Sequence, residues 1–523
     1  MKRIKNIVSI FALSLLVLTG CDKNFDRINT NPNATDKVPT PFILTYGQRL
    51  LVYSISDSWN DLKQAGVISQ MWSQRNYTSE DRYNFRRGTS DNYFKNTYVY
   101  MQTFQDIIRL NTDAASKGDM AAYGDNDMQI ASATLCKIWG IQLLAETFGD
   151  IPYTEAFNTA LTLQPKYDKQ SDLFPKLVAD IDVAIAQLKA SKKGWTNGDI
   201  MYNGDIQKWL KFANSLKLRL AIRMSNVNPQ WKEIANAAIA DGVFTSNDDN
   251  AGIQFTKAGT PHEAPIYAAF WTDGRNDYSL TKQFVGLLKG EDDNDKGYKN
   301  PFNGLVDPRL DVYVGPVNVT NKSYTGIPYG LTDAKNASFV TSAEDDGLLI
   351  NMQTKPMPVV ITPNYFVRML DYPTVCFMTC EAKNWDRAAF EQGMEASMQM
   401  WKASDYSGYI KDVLEKFDAA SAEGKKEIVI SQKYMHLLTQ SAEAWSEYRR
   451  TGYPKSLVKP GEITYRNGDE ITTFAPNNDT GGDIVPRLLY DSNEYTLNKD
   501  NVEAAAASIG GDTYATKLWW AKK

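Results

Sequence analysis

The 523-residue chain holds only two histidines and four cysteines, and that scarcity narrows the chemistry open to it. His262 and His436 lie far apart in sequence, and His436 sits in a helical stretch among Tyr434, Met435 and Leu437, where a structural role is expected. No G-x-S-x-G, H-E-x-x-H, P-loop or G-x-G-x-x-G pattern occurs, so there is no nucleophile elbow, zincin helix or phosphate cradle to build on. Cys376 and Cys380, four apart on one face of an apolar helix, lack any nearby His or third Cys, so buried apolar thiols are expected rather than a metal site. The run Glu291-Asp292-Asp293-Asn294-Asp295-Lys296-Gly297 imitates a calcium loop only in its acidity: its glycine is out of register and no glutamate closes it. No cofactor or metal is expected, and no catalytic residue. A block or stripe of basic residues is missing too, with 57 basic against 62 acidic side chains, which argues against nucleic acid as a partner. Beyond residue 20 no apolar run is long enough to cross a membrane.

What is present begins at the N-terminus. Lys2, Arg3 and Lys5 precede a short apolar run from Ile7 to Leu18, and Leu18-Thr19-Gly20-Cys21 follows. The run is too short to span a bilayer and reads as a signal peptide, residues 1–20, cleaved before Cys21. A thiol at that spacing is the site of lipidation, and a lipid carrying more than one chain anchors stably where a single chain does not. Removing residues 1–20 takes away three basic residues and moves the net charge from −5 to −8. Residues 21–41, polar and Pro-bearing, read as a lipidated tether that reaches at most roughly 65 Å.

The remaining 42–523 read as one mainly α-helical domain. Hydrophobic residues make up 43% of the chain, enough for a large core. Apolar positions recur at helical spacing over 130–148, which ends at Gly149, and over 173–188, with Ser171 or Asp172 as N-cap. The same rhythm covers 209–224, and further helices are expected over 60–74, 98–110, 231–240, 374–385, 388–401 and 428–450. Small and aromatic residues at contact positions, such as Ala131, Trp139 and Gly140, suggest a tetratricopeptide-like scaffold of helical pairs. Near 242–370 and 452–495 the rhythm gives way to Gly, Pro, Asn and Asp with a few short strands, as in Pro358-Val359-Val360-Ile361. Such long irregular loops on a rigid scaffold are where binding usually resides.

The positive chemical signal is aromatic: 12 Trp, 28 Tyr and 21 Phe, many in polar stretches. A flat ring covers the C–H face of a sugar while neighbouring amides, acids and guanidinium groups bond its hydroxyls. The stretches 76–83 and 271–278 have that mixture, and from them Tyr77, Tyr83, Trp271 and Tyr278 are expected as stacking platforms, with Arg275 as a hydroxyl donor.

Several segments together resemble the SusD/RagB family of nutrient-binding outer-membrane lipoproteins, in its SusD-like subgroup. After the cysteine at 21 comes Phe25-Asp26-Arg27-Ile28-Asn29-Thr30-Asn31-Pro32-Asn33, then Glu146-Thr147-Phe148-Gly149-Asp150-Ile151-Pro152-Tyr153 and Leu218-Arg219-Leu220-Ala221-Ile222-Arg223-Met224. Asp307-Pro308-Arg309-Leu310, the run from Ala444 to Pro454 and Asn493-Glu494-Tyr495-Thr496-Leu497-Asn498 complete the order. Where the family often has an Ala-Glu-Ala ending, this chain reads Thr379-Cys380-Glu381-Ala382, a change that bears on packing. These motifs themselves read as structural: Gly149 and Pro152 end a helix, and Arg449 and Arg450 bond helix ends or acids. The resemblance implies a helical, non-enzymatic surface lipoprotein on the outer membrane. It would cap a SusC-like TonB-dependent transporter and pass it an oligosaccharide or, in some members, a peptide. A lipid-anchored glycoside hydrolase and a purely structural brace for the transporter are the alternatives from other classes.

Overall fold

In the computed structural model, residues 38–158, 160–274, 277–314, 324–337 and 361–522 are described. The expected signal peptide, Cys21, most of the tether and Arg275 lie outside them, as does most of the strand expected at 358–361. The first helix, α1 (Thr40–Ile55), already starts within the stretch expected to be tether. Pro41 fits its first turn because the N–H it lacks would have no helical partner there.

The long helices that follow are α2 (Arg87–Thr112), α3 (Asn126–Phe148), α4 (Gln170–Ala190), α5 (Ile206–Arg223) and α6 (Trp231–Gly242). Each packs on the next, which gives the expected scaffold of paired helices. Missing side chains set the closest approaches. A Cβ at Gly47 of α1 would lie 2.3 Å from Thr103 Oγ1 of α2, and one at Gly140 of α3 would lie 2.7 Å from Met101 Sδ. The N-terminus of α4 corrects the sequence reading: Lys169 is its N-cap and no side chain bonds it, although Ser171 and Asp172 lie just inside.

The C-terminal half carries α7 (Lys282–Lys289), α8 (Tyr372–Ala382), α9 (Arg387–Trp401), α10 (Tyr406–Ala419), α11 (Ala422–His436), α12 (Ser441–Thr451) and α13 (Lys499–Ile509). Helix α8 packs on α9, α11 and α5 and so joins the two halves. Cys376 and Cys380 are buried free thiols on α8, and burial pushes the Cys376 thiol up to about 12.

One expected helix, 428–450, is two. It breaks at 437–440, where Thr439 takes a left-handed φ of 74°. Tertiary bonds fix the break: the Ser441 N–H donates to Asp61 Oδ1 at 3.2 Å, and Gln440 Nε2 donates to Asp371 Oδ2 at 2.7 Å.

Buried charge holds these helices in register. Arg223, with a side chain 1% exposed, pairs with Glu146 of α3 at 2.9 Å and with Glu443 and Glu447 of α12 at 2.7 Å each. Arg219 meets Glu443 at 2.6 Å, Lys433 of α11 meets Glu447 at 3.0 Å, and Arg450 meets Glu381 of α8 at 2.6 Å. Burial opposes ionisation of both Glu443 and Glu447, yet the cations around them hold each below the usual carboxylate range. Arg449 donates to the carbonyls of Glu146, in the last turn of α3, and Pro486 at 2.9 Å. Both arginines therefore bond a helix end or acids, as their motif suggested.

Strands are few and short: β1 (Trp72–Gln74), β2 (Ala251–Gln254), β3 (Tyr278–Leu280), β4 (Phe366–Leu370), β5 (Ile463–Asn467) and β6 (Glu470–Thr473). They form three antiparallel pairs, β1–β3, β2–β4 and β5–β6. Among the described residues no helix is long and apolar enough to cross a membrane.

Candidate functional site

Where helix was expected over 60–74, the chain instead forms a π-helix, Ser58–Gly66, and then β1. Asp57 starts the π-helix by accepting the N–H groups of Trp59 and Asn60 at 2.9 and 2.8 Å. A second π-helical segment, Ala268–Thr272, leads toward β3. Wide turns of this kind are rare and recur at functional sites. Of the 12 tryptophans, all described, only Trp59 at 38% and Trp271 at 43% are open to solvent, and each sits on one of these two segments.

The two segments are joined beneath the surface. Trp72 of β1 and Tyr278 of β3 both pack against Phe270, with ring centroids 6.2 and 6.0 Å away. Lys63 reaches between them, its Nζ 4.2 Å from the Trp59 ring and 6.0 Å from that of Tyr278. Arg86 adds a second cation 5.3 Å from the Trp59 ring, itself tied to Glu80 at 3.0 Å. Cations against an indole fix its orientation and are worth about 0.5–2 kcal/mol. On the Trp271 side, Tyr267 packs at 6.5 Å and the Thr260 hydroxyl donates to Glu263 at 2.9 Å, with Thr272 donating to the same oxygen.

Between the two segments lies Tyr53 of α1, half-buried, with Arg49 5.9 Å above its ring. Burial raises its hydroxyl pKa first, and the carboxylates of Asp57, Asp273 and Glu263 add to it while Arg49 opposes them. Acids from both segments thus face one phenol. The result is a surface of two open indoles and a phenol with carboxylates among them, able to cover an apolar ring face and accept hydrogen bonds from hydroxyls.

The sequence-expected residues divide. Trp271 is open, and Tyr77, at 60% exposure, stands at the end of β1 with a left-handed φ of 60°. The neighbouring Thr78 anchors that turn through its N–H and hydroxyl to Asp333 Oδ1 at 2.7 and 3.0 Å. Tyr83 and Tyr278 correct the expectation that they are stacking platforms: they are 0% and 1% exposed. Tyr83 packs against Phe85 and Phe474 at 5.9 and 5.3 Å, and Tyr278 is the floor under Phe270. Their rings are spent on the core. Arg275 lies outside the described residues. Trp59 and Tyr53 fall outside the two aromatic and polar stretches, 76–83 and 271–278, that the sequence singles out. The Trp59–Lys63 spacing of four was the signal that could have found them.

His436 has a different setting. Its Nδ1 is 2.9 Å from Ser397 Oγ and its Nε2 is 3.1 Å from Asp371 Oδ1, the residue types of a hydrolase triad but on the opposite ring nitrogens. All three are 0% exposed, and Arg309 Nη1 donates to the same serine oxygen at 2.8 Å. Burial lowers the pKa of His436, with the nearby Asp371 opposing that shift. The row is sealed from substrate and ties α8, α9 and α11 together. Arg309 in turn forks onto Asp307 at 2.6 Å, which gives the Asp307-Pro308-Arg309-Leu310 turn its structural role.

The comparisons with known proteins agree with this architecture. No curated protein is similar in sequence at a significant level. A chitin-binding protein of known structure is 25% identical, superposes with a TM-score of 0.70, and covers 92% of this chain and 100% of its own. A SusD homologue from Bacteroides uniformis shares 23% identity over 92% of this chain and all of its own, with a TM-score of 0.70. A chitin-binding SusD homologue from Flavobacterium johnsoniae shares the fold at 21% identity, with a TM-score of 0.68, over 92% of this chain and 98% of its own. Residues 32–473 match the profile described as starch-binding and associating with the outer membrane, and the chain therefore belongs to the SusD-like family.

Proposed function

We propose that this protein is a cell-surface lipoprotein that captures an oligosaccharide on the surface bearing Trp59 and Trp271 and hands it to a SusC-like TonB-dependent transporter. The carrying observation is that the two most exposed tryptophans each stand on a π-helical segment, and that the two segments are joined through Phe270, Tyr278 and Lys63. Family membership and the chitin-binding relatives support a carbohydrate as the ligand. Trp59, Trp271 and Tyr77 serve as platforms, with Tyr53 between the indoles. Tyr278 and Lys63 set the indoles' positions from below. Lipid on Cys21 holds the protein to the outer membrane, facing outward. The tether from Cys21 to the start of α1 at Thr40 lets the helical body swing over the transporter while its anchor stays fixed.

Affinity electrophoresis of the mature chain against polysaccharides and a peptide panel tests the reading. Retardation by at least one polysaccharide, with no sugar released on prolonged incubation, is expected. Retardation by peptides alone would move the ligand to the peptide class. Sugar release would instead make the protein a lipid-anchored hydrolase.

A further inference from the structure

Among the described residues, the five most exposed aromatic side chains are Phe42 at 68%, Tyr77 at 60%, Tyr46 at 55%, Trp271 at 43% and Trp59 at 38%. Tyr77, Trp59 and Trp271 belong to the surface assigned to sugar capture. Phe42 and Tyr46 stand on α1, the helix that also carries Tyr53. The core side of α1 is made by other residues, Leu44, Gly47, Gln48, Leu51, Val52 and Ile55. Packing of the scaffold therefore does not account for the two open rings.

Their spacing ties them to the capture surface. Phe42, Tyr46, Arg49 and Tyr53 follow one another at intervals of four, three and four residues. At 3.6 residues per turn these positions fall within roughly 60° of one another, opposite the core side, and at 1.5 Å per residue they extend over roughly 16 Å. The result is a single file of rings broken by one guanidinium. At its far end Tyr53 lies between the two indole-bearing segments, with Phe255 6.2 Å behind its ring. Arg49 leans 5.9 Å over the Tyr53 ring and donates to the Pro261 carbonyl, in the loop that leads to Trp271. A guanidinium has five N–H donors, so others remain for hydroxyls. Beside Tyr46 runs α2, held close where Gly47 meets Thr103. Tyr100, one turn before Thr103, feels both Tyr46 and Asp57, the residue that starts the π-helix of Trp59: after burial, these two raise its hydroxyl pKa. Ring surface and polar tips thus continue without a gap from Phe42 to the capture surface.

The dimensions favour a slender occupant. With roughly 200 Å² for a whole aromatic side chain, Phe42 and Tyr46 expose about 250 Å² between them. A stable protein interface takes about 800 Å² from each partner. A file one ring wide, with a donor in its middle, suits an extended chain that has apolar faces and hydroxyl edges. We propose that the outer face of α1 is an extension of the capture surface that takes the further units of a long oligosaccharide, so that the protein selects for chain length. The inference rests on the aromatic surface being the capture site, and its test separates the two.

The probe is a set of fragments of one polysaccharide, the one that most retards the wild type in affinity electrophoresis, separated by length from the disaccharide upward. Calorimetric titration of the wild type is expected to show affinity rising with length beyond the shortest fragment that binds. In Phe42→Ala/Tyr46→Ala the shortest binding fragment is expected to keep its affinity while the longest loses about tenfold, as two stacking rings supply. Both side chains are exposed, so the variant is expected to fold, and its melting temperature checks this. Leu161→Ala/Leu163→Ala, which strips exposed apolar side chains from the loop before α4, is expected to change the affinity at no length. Length dependence that persists in the Phe42→Ala/Tyr46→Ala variant, or is missing from the wild type, would overturn the extension and leave the capture surface in place. Unchanged titrations together with lost co-purification of the transporter would overturn it as well and give this face to that partner. If no polysaccharide retards the wild type, capture surface and extension fall together.

Discussion

At the scale of single residues, the candidate surface depends on side chains whose neighbours hold them rigid. Trp59 is fixed by Lys63 and Arg86, and Lys63 is itself 4% exposed. Replacing Lys63 by Met removes the cation and keeps most of the bulk. Ligand affinity is expected to weaken about two- to fivefold through a looser indole, corresponding to roughly 0.5–1 kcal/mol, measured by titration calorimetry. Tyr83→Phe makes the opposite prediction. Its ring is in the core, so affinity should stay within error of wild type, and a clear loss would return Tyr83 to the binding surface. Composition and loop position singled out Trp271 and Tyr77 but could not separate them from Tyr83 and Tyr278. In a polar-looking segment, whether a ring turns inward depends on partners distant in sequence, here Phe474 for Tyr83 and Trp72 through Phe270 for Tyr278.

At the scale of elements, helices with a sustained apolar period were legible, and their order along the chain matches the scaffold. The failures were local. A π-helix bears the same apolar residues as an α-helix, and Ser58–Gly66 was fixed by Asp57 and by Asp61 reaching Ser441, which periodicity cannot see. Helices α1, α7, α10 and α13 were not anticipated. The clamp among α3, α5, α8, α11 and α12 predicts a large effect from a small change. Glu447→Gln leaves Arg223, Lys433 and Arg450 short of a buried counter-charge, and unfolding by denaturant should show a loss of about 3–5 kcal/mol. A loss under about 1 kcal/mol would mean the clamp does not hold the helices in register.

At the scale of the whole molecule, two sets of buried acids pull stability in opposite directions with pH. Burial pushes Asp61 up to about 6 and Asp81 up to about 7, with bonds from Ser441 and Ser73 opposing the shift. The native state therefore holds protons that the unfolded chain, with Asp near 3.9, has released, and stability falls as pH rises from about 4 to 7. Glu443 and Glu447 behave in the reverse sense. Their native pKa values are depressed, so their contribution is present above the unfolded value of about 4.3 and is lost as pH falls below it. Melting temperature is expected to peak near pH 4, about where the two windows meet, and Asp61→Asn should flatten the limb above it. A melting temperature that climbs steadily from pH 5 to 8 would contradict these assignments. Anchoring belongs to the same scale: Cys21→Ser should shift the protein from the membrane to the soluble fraction of the cells, which fractionation and blotting would read.

The most direct test of the central claim is calorimetric titration of the retarding glycan into wild type and into a Trp59→Ala/Trp271→Ala variant of matched melting temperature. Loss of the two open rings is predicted to weaken binding about 100-fold or more, as truncating two anchors of roughly 1.4 kcal/mol or more each would. Unchanged affinity in the double variant would contradict the account.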